Sequence, residues 1–335
     1  MKSDKILLSH GSGGRISHQL VKEIFVSAFS NPVLDRLDDQ AIFETTGQRI
    51  AFTTDSYVID PIFFPGGDIG KLAVCGTVND LAMSGAVPRY LSAGFIIEEG
   101  FPVDDLRRVV QSMSETAREA GVTIVTGDTK VVSRGQADKL FINTAGVGFI
   151  DNDINISGSM AKPGDKIIIS GTIGDHGIAV LSKREGLEFD FPIISDCAPL
   201  NSLVSHMLSV TKDIHVLRDP TRGGVATILN EIAQQSNAGI MIEESNLPIR
   251  EAVRGASEFL GYDPLYIANE GKLVAIVPRE TADSILEKMR KNKYGKDAEI
   301  IGEVISEPKR VLLKTVIGGT RIVDMLAGEL LPRIC

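Results

Sequence analysis

The sequence has 335 residues, 43% of them hydrophobic, which is more chain than one core usually organises, so two domains are expected. A formal net charge of -9, with no run of lysine and arginine to offset it, repels phosphate backbones and argues against nucleic acid as a partner. No apolar stretch approaches the roughly 20 residues that cross a bilayer, and the start MKSDKILLSHGSGG lacks a secretory apolar region, so no membrane partner is expected.

The first feature along the chain is His10-Gly11-Ser12-Gly13-Gly14, immediately ahead of a helical pattern. Exposed N–H groups and the positive end of a helix dipole favour an anion there, and glycine admits close approach. A floppy N-terminal arm explains the same residues equally well. No GK[ST] follows and no strand precedes, so this is neither a Walker A loop nor a Rossmann fingerprint. Ile16, Leu20, Val21, Ile24, Phe25 and Ala28 recur at helical spacing and predict an amphipathic helix over 15–29. The period then shortens. Segments 41–43, 50–54, 90–97 and 122–126 read as strands, and a helix running from near Asp104 to Gly121 separates the last two. These elements predict a mixed α/β domain over 1–150. The polar, turn-rich stretch 151–164 is the expected boundary. A second α/β domain is expected over 151–323, with strands at 166–170 and 273–277, helices at 177–183 and 225–235, and a hairpin of 311–317 with 320–323 about Gly318-Gly319. Residues 324–335 form a tail that Gly328 and Pro332 keep from becoming one rigid helix.

Four acidic positions fall where apolar segments end or loops begin: Asp38-Asp39, Asp55, Asp80 and Asp128. Each alone reads as a turn or cap residue. Together, at one end of a sheet beside a glycine loop, they suit a Mg2+ ion bridging phosphates. Lys130, two residues past Asp128, could neutralise phosphoryl charge, or be a solvated surface lysine. In the second half, Asp219, Thr221 and Arg222 precede a helix and make another anion-friendly terminus, with simple capping as the alternative. Gly171 to Gly177 follows a strand, yet its GxxGxxG spacing departs from the dinucleotide fingerprint. Glu270, in the turn Asn269-Glu270-Gly271, is either an exposed turn residue or a base beside an active site. Cys75, Cys197 and Cys335 offer neither a disulfide framework nor a C-x-x-C pair, which fits a reducing cytoplasm. Cys335, the last residue, sits on a tail long enough to reach the protein's own cleft or another protein.

The motifs HGSGG, TTDSYV, FFPGGDIGKLAVCGTVNDLAMSGA, VTGDTKVV, DPTRGGVATILNE, NEGKL and the terminal PRIC together resemble the HypE family of hydrogenase-maturation proteins over nearly the whole chain. The internal motifs are shared across the PurM-like superfamily of aminoimidazole ribonucleotide synthetase, selenophosphate synthetase and thiamine-monophosphate kinase, and the terminal PRIC discriminates among its members. Selenophosphate synthetases carry a Cys or selenocysteine near the glycine loop, whereas the first cysteine here is Cys75. The resemblance implies two α/β domains, an N-terminal sheet pairing across a homodimer, and a mobile C-terminal tail. It also implies a reaction: a HypF carbamoyltransferase loads the terminal thiol, the S-carbamoyl group is dehydrated with ATP to a thiocyanate, and the cyanide ligand passes to iron on a HypC–HypD scaffold for NiFe-hydrogenase. By the same resemblance Asp55, Asp80 and Asp128 hold Mg-ATP with Asp38 and Asp39 in support, and Gly11, Gly13 and Gly14 form the nucleotide loop. Lys130 then stabilises the phosphorylated intermediate, Glu270 is the base, and Cys335 carries the substrate. An ATP-dependent synthetase or kinase of a free small molecule is the alternative, and a nucleotide-binding scaffold without activity is a third.

Overall fold

The computed structural model describes residues 14–335 except 30, 46, 188, 190, 191, 327 and 329. Gly11 and Gly13 of the expected phosphate loop lie outside the described residues. The chain opens with α1 (Arg15–Leu20), continues through a π-helical turn at Val21–Val26 and ends this stretch in α2 (Ser27–Phe29), so the expected helix is interrupted by a wider turn. Next come β1 (Ala41–Thr45), β2 (Gln48–Tyr57), the short hairpin β3 (Phe63–Phe64) and β4 (Gly67–Asp68), then α3 (Ile69–Met83). The Asp68 carboxylate accepts from the N–H groups of Gly70 and Lys71 and so starts α3. α3 is buried nearly all round, so its sequence lacks the apolar stripe by which a surface helix is recognised. β5 (Val87–Glu98), α4 (Val103–Ala120), β6 (Thr123–Val132) and β7 (Leu140–Ile150) follow. α4 has Asp104 and Asp105 inside its first turn and ends on Gly121 at φ 70°, a left-handed conformation that glycine adopts without strain.

The first sheet runs β1-β2-β7-β5-β6, antiparallel except for the parallel pair β5 and β6. Residues alternate between a face packed on α3 and an open face, where Phe52, Tyr90 and Ile96 stay exposed. β6 is the free edge and is exposed almost throughout.

The second half contains β8 (Lys166–Ile169), α5 (Asp175–Glu185), α6 (Asn201–Leu208), β9 (Val216–Arg218), α7 (Gly224–Ser236), β10 (Gly239–Glu243), α8 (Glu251–Leu260), β11 (Val274–Val277), α9 (Arg279–Arg290), β12 (Glu299–Ile305), β13 (Val311–Lys314) and β14 (Thr320–Ile322). Its sheet is ordered β14-β13-β10-β12-β8-β11-β9. Both neighbours of β8 are antiparallel to it, so the glycine-rich turn from β8 into α5 is not part of a parallel crossover, and a dinucleotide fold is excluded. The terminal hairpin pairs Lys314 with Thr320, so its loop is the five residues 315–319 rather than two glycines. Thr315 N–H donates to the Gly319 carbonyl at 2.8 Å to close it.

The two sheets share their cores. Ala51, Leu81, Met83 and Ile150 pack with Ile168, Leu200, Leu203 and Leu217. Tyr57, Leu72, Cys75 and Leu91 pack with Val180, Cys197, Ala268 and Ile334. The cleft between the halves is therefore lined by residues far apart in sequence, including the last few.

Candidate active site

Asp55 lies on β2 and Asp80 on α3, both on the packed side of the first sheet. Thr53, two residues before Asp55, donates its hydroxyl to Asp80 at 2.8 Å. Asp219 follows β9 across the cleft. Burial, then the charges of Asp219, Asp55 and Asp39, push the Asp80 carboxyl well above the usual carboxylate range. Burial, opposed by Arg218, brings Asp219 up to about 6. Asp39 pairs with Arg218 at 2.8 Å, Arg218 with Glu231 at 2.6 Å, and Glu231 with His18 at 2.8 Å. That chain of contacts ties the first helical stretch to the acidic cluster.

Not every expected residue joins this cluster. Asp38 is engaged by Arg36 at 2.9 Å and by the Ser157 hydroxyl at 3.0 Å, which commits it to packing the junction between the halves. Asp128 and Lys130 stand on β6 and pair with each other at 2.7 Å. Their registers opposite Gly94 and Ile96 put them on the open face, away from Asp55 and Asp80. Gly14 precedes α1, where Arg15 N–H donates to the Leu326 carbonyl at 2.9 Å. Among the described residues no group of three or more His, Cys, Asp or Glu converges closely enough to hold a metal ion.

Glu270 is buried, not an exposed turn residue. Asp196 fixes its turn, accepting from the Glu270 and Gly271 N–H groups at 3.1 and 3.3 Å and from Lys272 at 3.2 Å. Gly271 is required by close approach, since a Cβ there would lie 1.8 Å from the Asp196 carbonyl oxygen. Burial, reinforced by Cys197, Asp219 and Asp55, raises the Glu270 carboxyl well above its ordinary range.

The tail enters this cleft. Val58 N–H donates to a Cys335 carboxyl-terminal oxygen at 3.1 Å and Asp60 N–H to the Arg333 carbonyl at 3.2 Å, so residues 333–335 lie antiparallel to the segment after β2. Arg184 on α5 donates to the carbonyls of Asp60, Pro332 and Arg333, each at 2.7 Å. His176 bonds the Ile334 carbonyl at 2.8 Å through Nε2 and the Ser195 hydroxyl at 2.8 Å through Nδ1. Ile334 is 4% exposed. The tail expected to be mobile is thus docked by its backbone and one aliphatic side chain. Its thiol lies near Arg222, Glu270 and Asp55, and burial pushes Cys335 up to about 12 against the opposing pull of Arg222. Cys335, Asp55 and Glu270 together hold Arg222 firmly protonated.

His176, Arg184, Ser195 and Asp196 were not legible as site residues. His176 sat inside the glycine motif already set aside as a dinucleotide fingerprint, and nothing local distinguished Arg184 from a surface arginine. The FFPGGD motif gains a role here: Pro65 accepts from the Ser195 N–H at 2.9 Å, bracing the loop that carries Asp196.

Residues 37–150 match the family model for the AIR synthase related protein N-terminal domain, and residues 162–314 the model for its C-terminal domain. The carbamoyl dehydratase HypE of Azotobacter vinelandii is 54% identical, with 100% of this chain and 98% of that protein covered. The chain belongs to the HypE family of carbamoyl dehydratases. Among solved structures, a HypE–HypF complex matches at 55% identity and TM-score 0.88, covering 92% of this chain and 99% of that one. HypE in complex with ATP matches at 55% identity and TM-score 0.83, covering 99% of this chain and 100% of that one. The resemblance carried by the motifs and the terminal PRIC is thereby confirmed, as is the two-part PurM-like fold. Among the described residues no helix is long and apolar enough to cross a membrane.

Proposed function

We propose that this chain dehydrates an S-carbamoyl group on its own Cys335 to a thiocyanate with ATP, supplying the cyanide ligand of the NiFe-hydrogenase iron centre. The observation that carries the reading is the docking of the terminal residue beside Glu270 and Arg222, next to the acidic cluster. The step balances as R–S–C(=O)–NH2 plus ATP giving R–S–C≡N, ADP and phosphate. Amide oxygen leaves poorly, and ATP supplies the phosphoryl group that lets it depart as phosphate. Glu270 takes the nitrogen protons, and Arg222 stabilises negative charge on the carbonyl oxygen. The enclosure around Ile334 keeps water from the activated carbon. A half-buried thiol raised to about 12 is neutral and a poor nucleophile, so we assign carbamoylation to the withdrawn tail and dehydration to the docked one.

Crowded carboxylates fit a divalent cation, which would relieve their mutual repulsion and that of the phosphates. No three of the described carboxylates converge on one point in the ligand-free chain, so we assign Asp55, Asp80 and Asp219, with Asp39 beside them, to hold Mg2+ that arrives with the nucleotide phosphates as further ligands, with Gly11, Gly13 and Gly14 at the nucleotide and Asp38 in a supporting structural role. Asp128 and Lys130 are assigned to the site of a second copy in a homodimer built on the open sheet face, where Phe52, Tyr90 and Ile96 are 41%, 48% and 44% exposed. The partners of this reading are HypF as carbamoyl donor and HypC–HypD as acceptor, in the cytoplasm. The domain reading assigns nucleotide and dimer contacts to 1–150, the covering domain to 151–323 and the carrier to 324–335.

Glu270→Gln tests the mechanism. The variant should bind ATP and accept the carbamoyl group while nitrile formation, followed by mass spectrometry of the C-terminal peptide, slows by at least about 100-fold. Normal nitrile formation would remove Glu270 as the base, and a Cys335→Ala variant that still dehydrates carbamoyl groups would favour a free small-molecule substrate.

A further inference from the structure

The contacts that hold the tail are those of a peptide ligand. Two main-chain hydrogen bonds from Val58 and Asp60 add residues 333–335 to the first half as a short antiparallel strand. Arg184 reads two successive tail carbonyls while anchored on the carbonyl of Asp60. His176 reads a third. A carbonyl only accepts, so Nε2 must carry the proton, which leaves Nδ1 to accept from Ser195, whose oxygen in turn accepts from the Cys197 N–H at 3.1 Å. Arg333 has φ 51° and sends its guanidinium to the Val58 carbonyl at 2.9 Å and to Asp138, while Ile334 enters the core beside Val180, Cys197 and Ala268. None of these contacts depends on a covalent link through the preceding residues.

We propose that the groove formed by the segment after β2, α5 and the Ser195 loop is a peptide-binding site in its own right, which recognises a free C-terminal Arg-Ile-Cys peptide in trans. The backbone carbonyls set its register, and the aliphatic side chain before the cysteine sets its specificity. Tethering contributes effective concentration only. The inference deepens the reading of Cys335 as substrate carrier, and a binding measurement separates the two.

The test uses the full chain carrying Ile334→Asp and Cys335→Ser, which vacates the groove, and a fluorescein-labelled Leu-Pro-Arg-Ile-Cys peptide read by anisotropy. Saturable binding is expected. A peptide ending Arg-Asp-Cys should bind at least about tenfold more weakly, the factor set by one buried aliphatic side chain. Adding Arg184→Ala should weaken binding by a similar factor. Absent binding to a variant that melts like wild type, or equal binding of the two peptides, overturns the proposal. Should the variant not fold, the wild-type chain decides: excess peptide ending Arg-Ile-Ser should displace the tail and speed alkylation of Cys335, and an unchanged rate overturns it. Binding of an S-carbamoyl peptide that ATP does not convert would support the groove and count against the dehydration reading.

Discussion

Docking of the tail and the charge of its thiol are linked, and that linkage can be read as a pH profile. The Cys335 thiol has an ordinary value of 9.0 and is pushed up to about 12 in the docked position. That rise corresponds to about 4 kcal/mol between thiol and thiolate in the cleft. The docked form holds its proton where the undocked form has lost it. Docking is therefore fully favourable below 9.0, weakens about tenfold per pH unit above it, and stops weakening near about 12. The assay is alkylation of Cys335 by a neutral reagent, quantified on the C-terminal peptide so that the buried Cys75 and Cys197 do not contribute. Only the undocked thiolate reacts, so the rate of the wild-type chain should keep climbing past pH 9 instead of levelling there. The profile of Ile334→Asp, which should not dock, should level near 9.0 and lie above wild type at every lower pH. A wild-type midpoint at or below 9.0, or coincident profiles, would refute both the docked position and the energetic link.

Asp80→Asn removes one buried carboxyl from a crowd of like charges. A carboxyl whose folded value is raised above 3.8 costs stability as pH rises past 3.8, so at neutral pH the ligand-free variant should melt at or above the wild-type temperature. The same variant should bind Mg-ATP at least about tenfold more weakly by calorimetry, and a lower melting temperature with unchanged affinity would contradict the acidic cluster as the nucleotide and metal site. Gly271→Ala should cost about 1 to 3 kcal/mol in denaturant unfolding, because the added methyl meets the backbone of Asp196 at 1.8 Å. Wild-type stability there would show that the Glu270 turn is not held as tightly as its contacts imply.

Much of the chemistry was legible because it is local. The motif around Asp55, the acidic end of α3 at Asp80, the NEG turn and the cysteine at the terminus are short-range patterns whose residue types carry their meaning, and together they identified the family. Short apolar runs bounded by Gly, Asp or Pro located β2 and β5, and helical spacing located α4, for the same reason. α3 escaped because a helix buried on all sides shows no stripe, whereas the β8-α5 turn could be set aside as a dinucleotide site on its glycine spacing alone, as the antiparallel neighbours of β8 bear out. Whether a carboxylate enters the cleft depends on sheet register: Asp55 and Asp128 both follow apolar runs, yet the pleat turns one toward the core and the other toward the open face. The tail was visible as a segment and not as a docked strand, because the groups that hold it, Arg184, His176 and Val58, come from two halves of the chain and are ordinary residues until the fold brings their donors within 3.1 Å of its carbonyl oxygens. Local motifs establish which groups are available for the reaction. The tertiary structure decided which of them share a buried, desolvated space, and that burial is what shifts the ionisation of Asp80, Glu270 and Cys335.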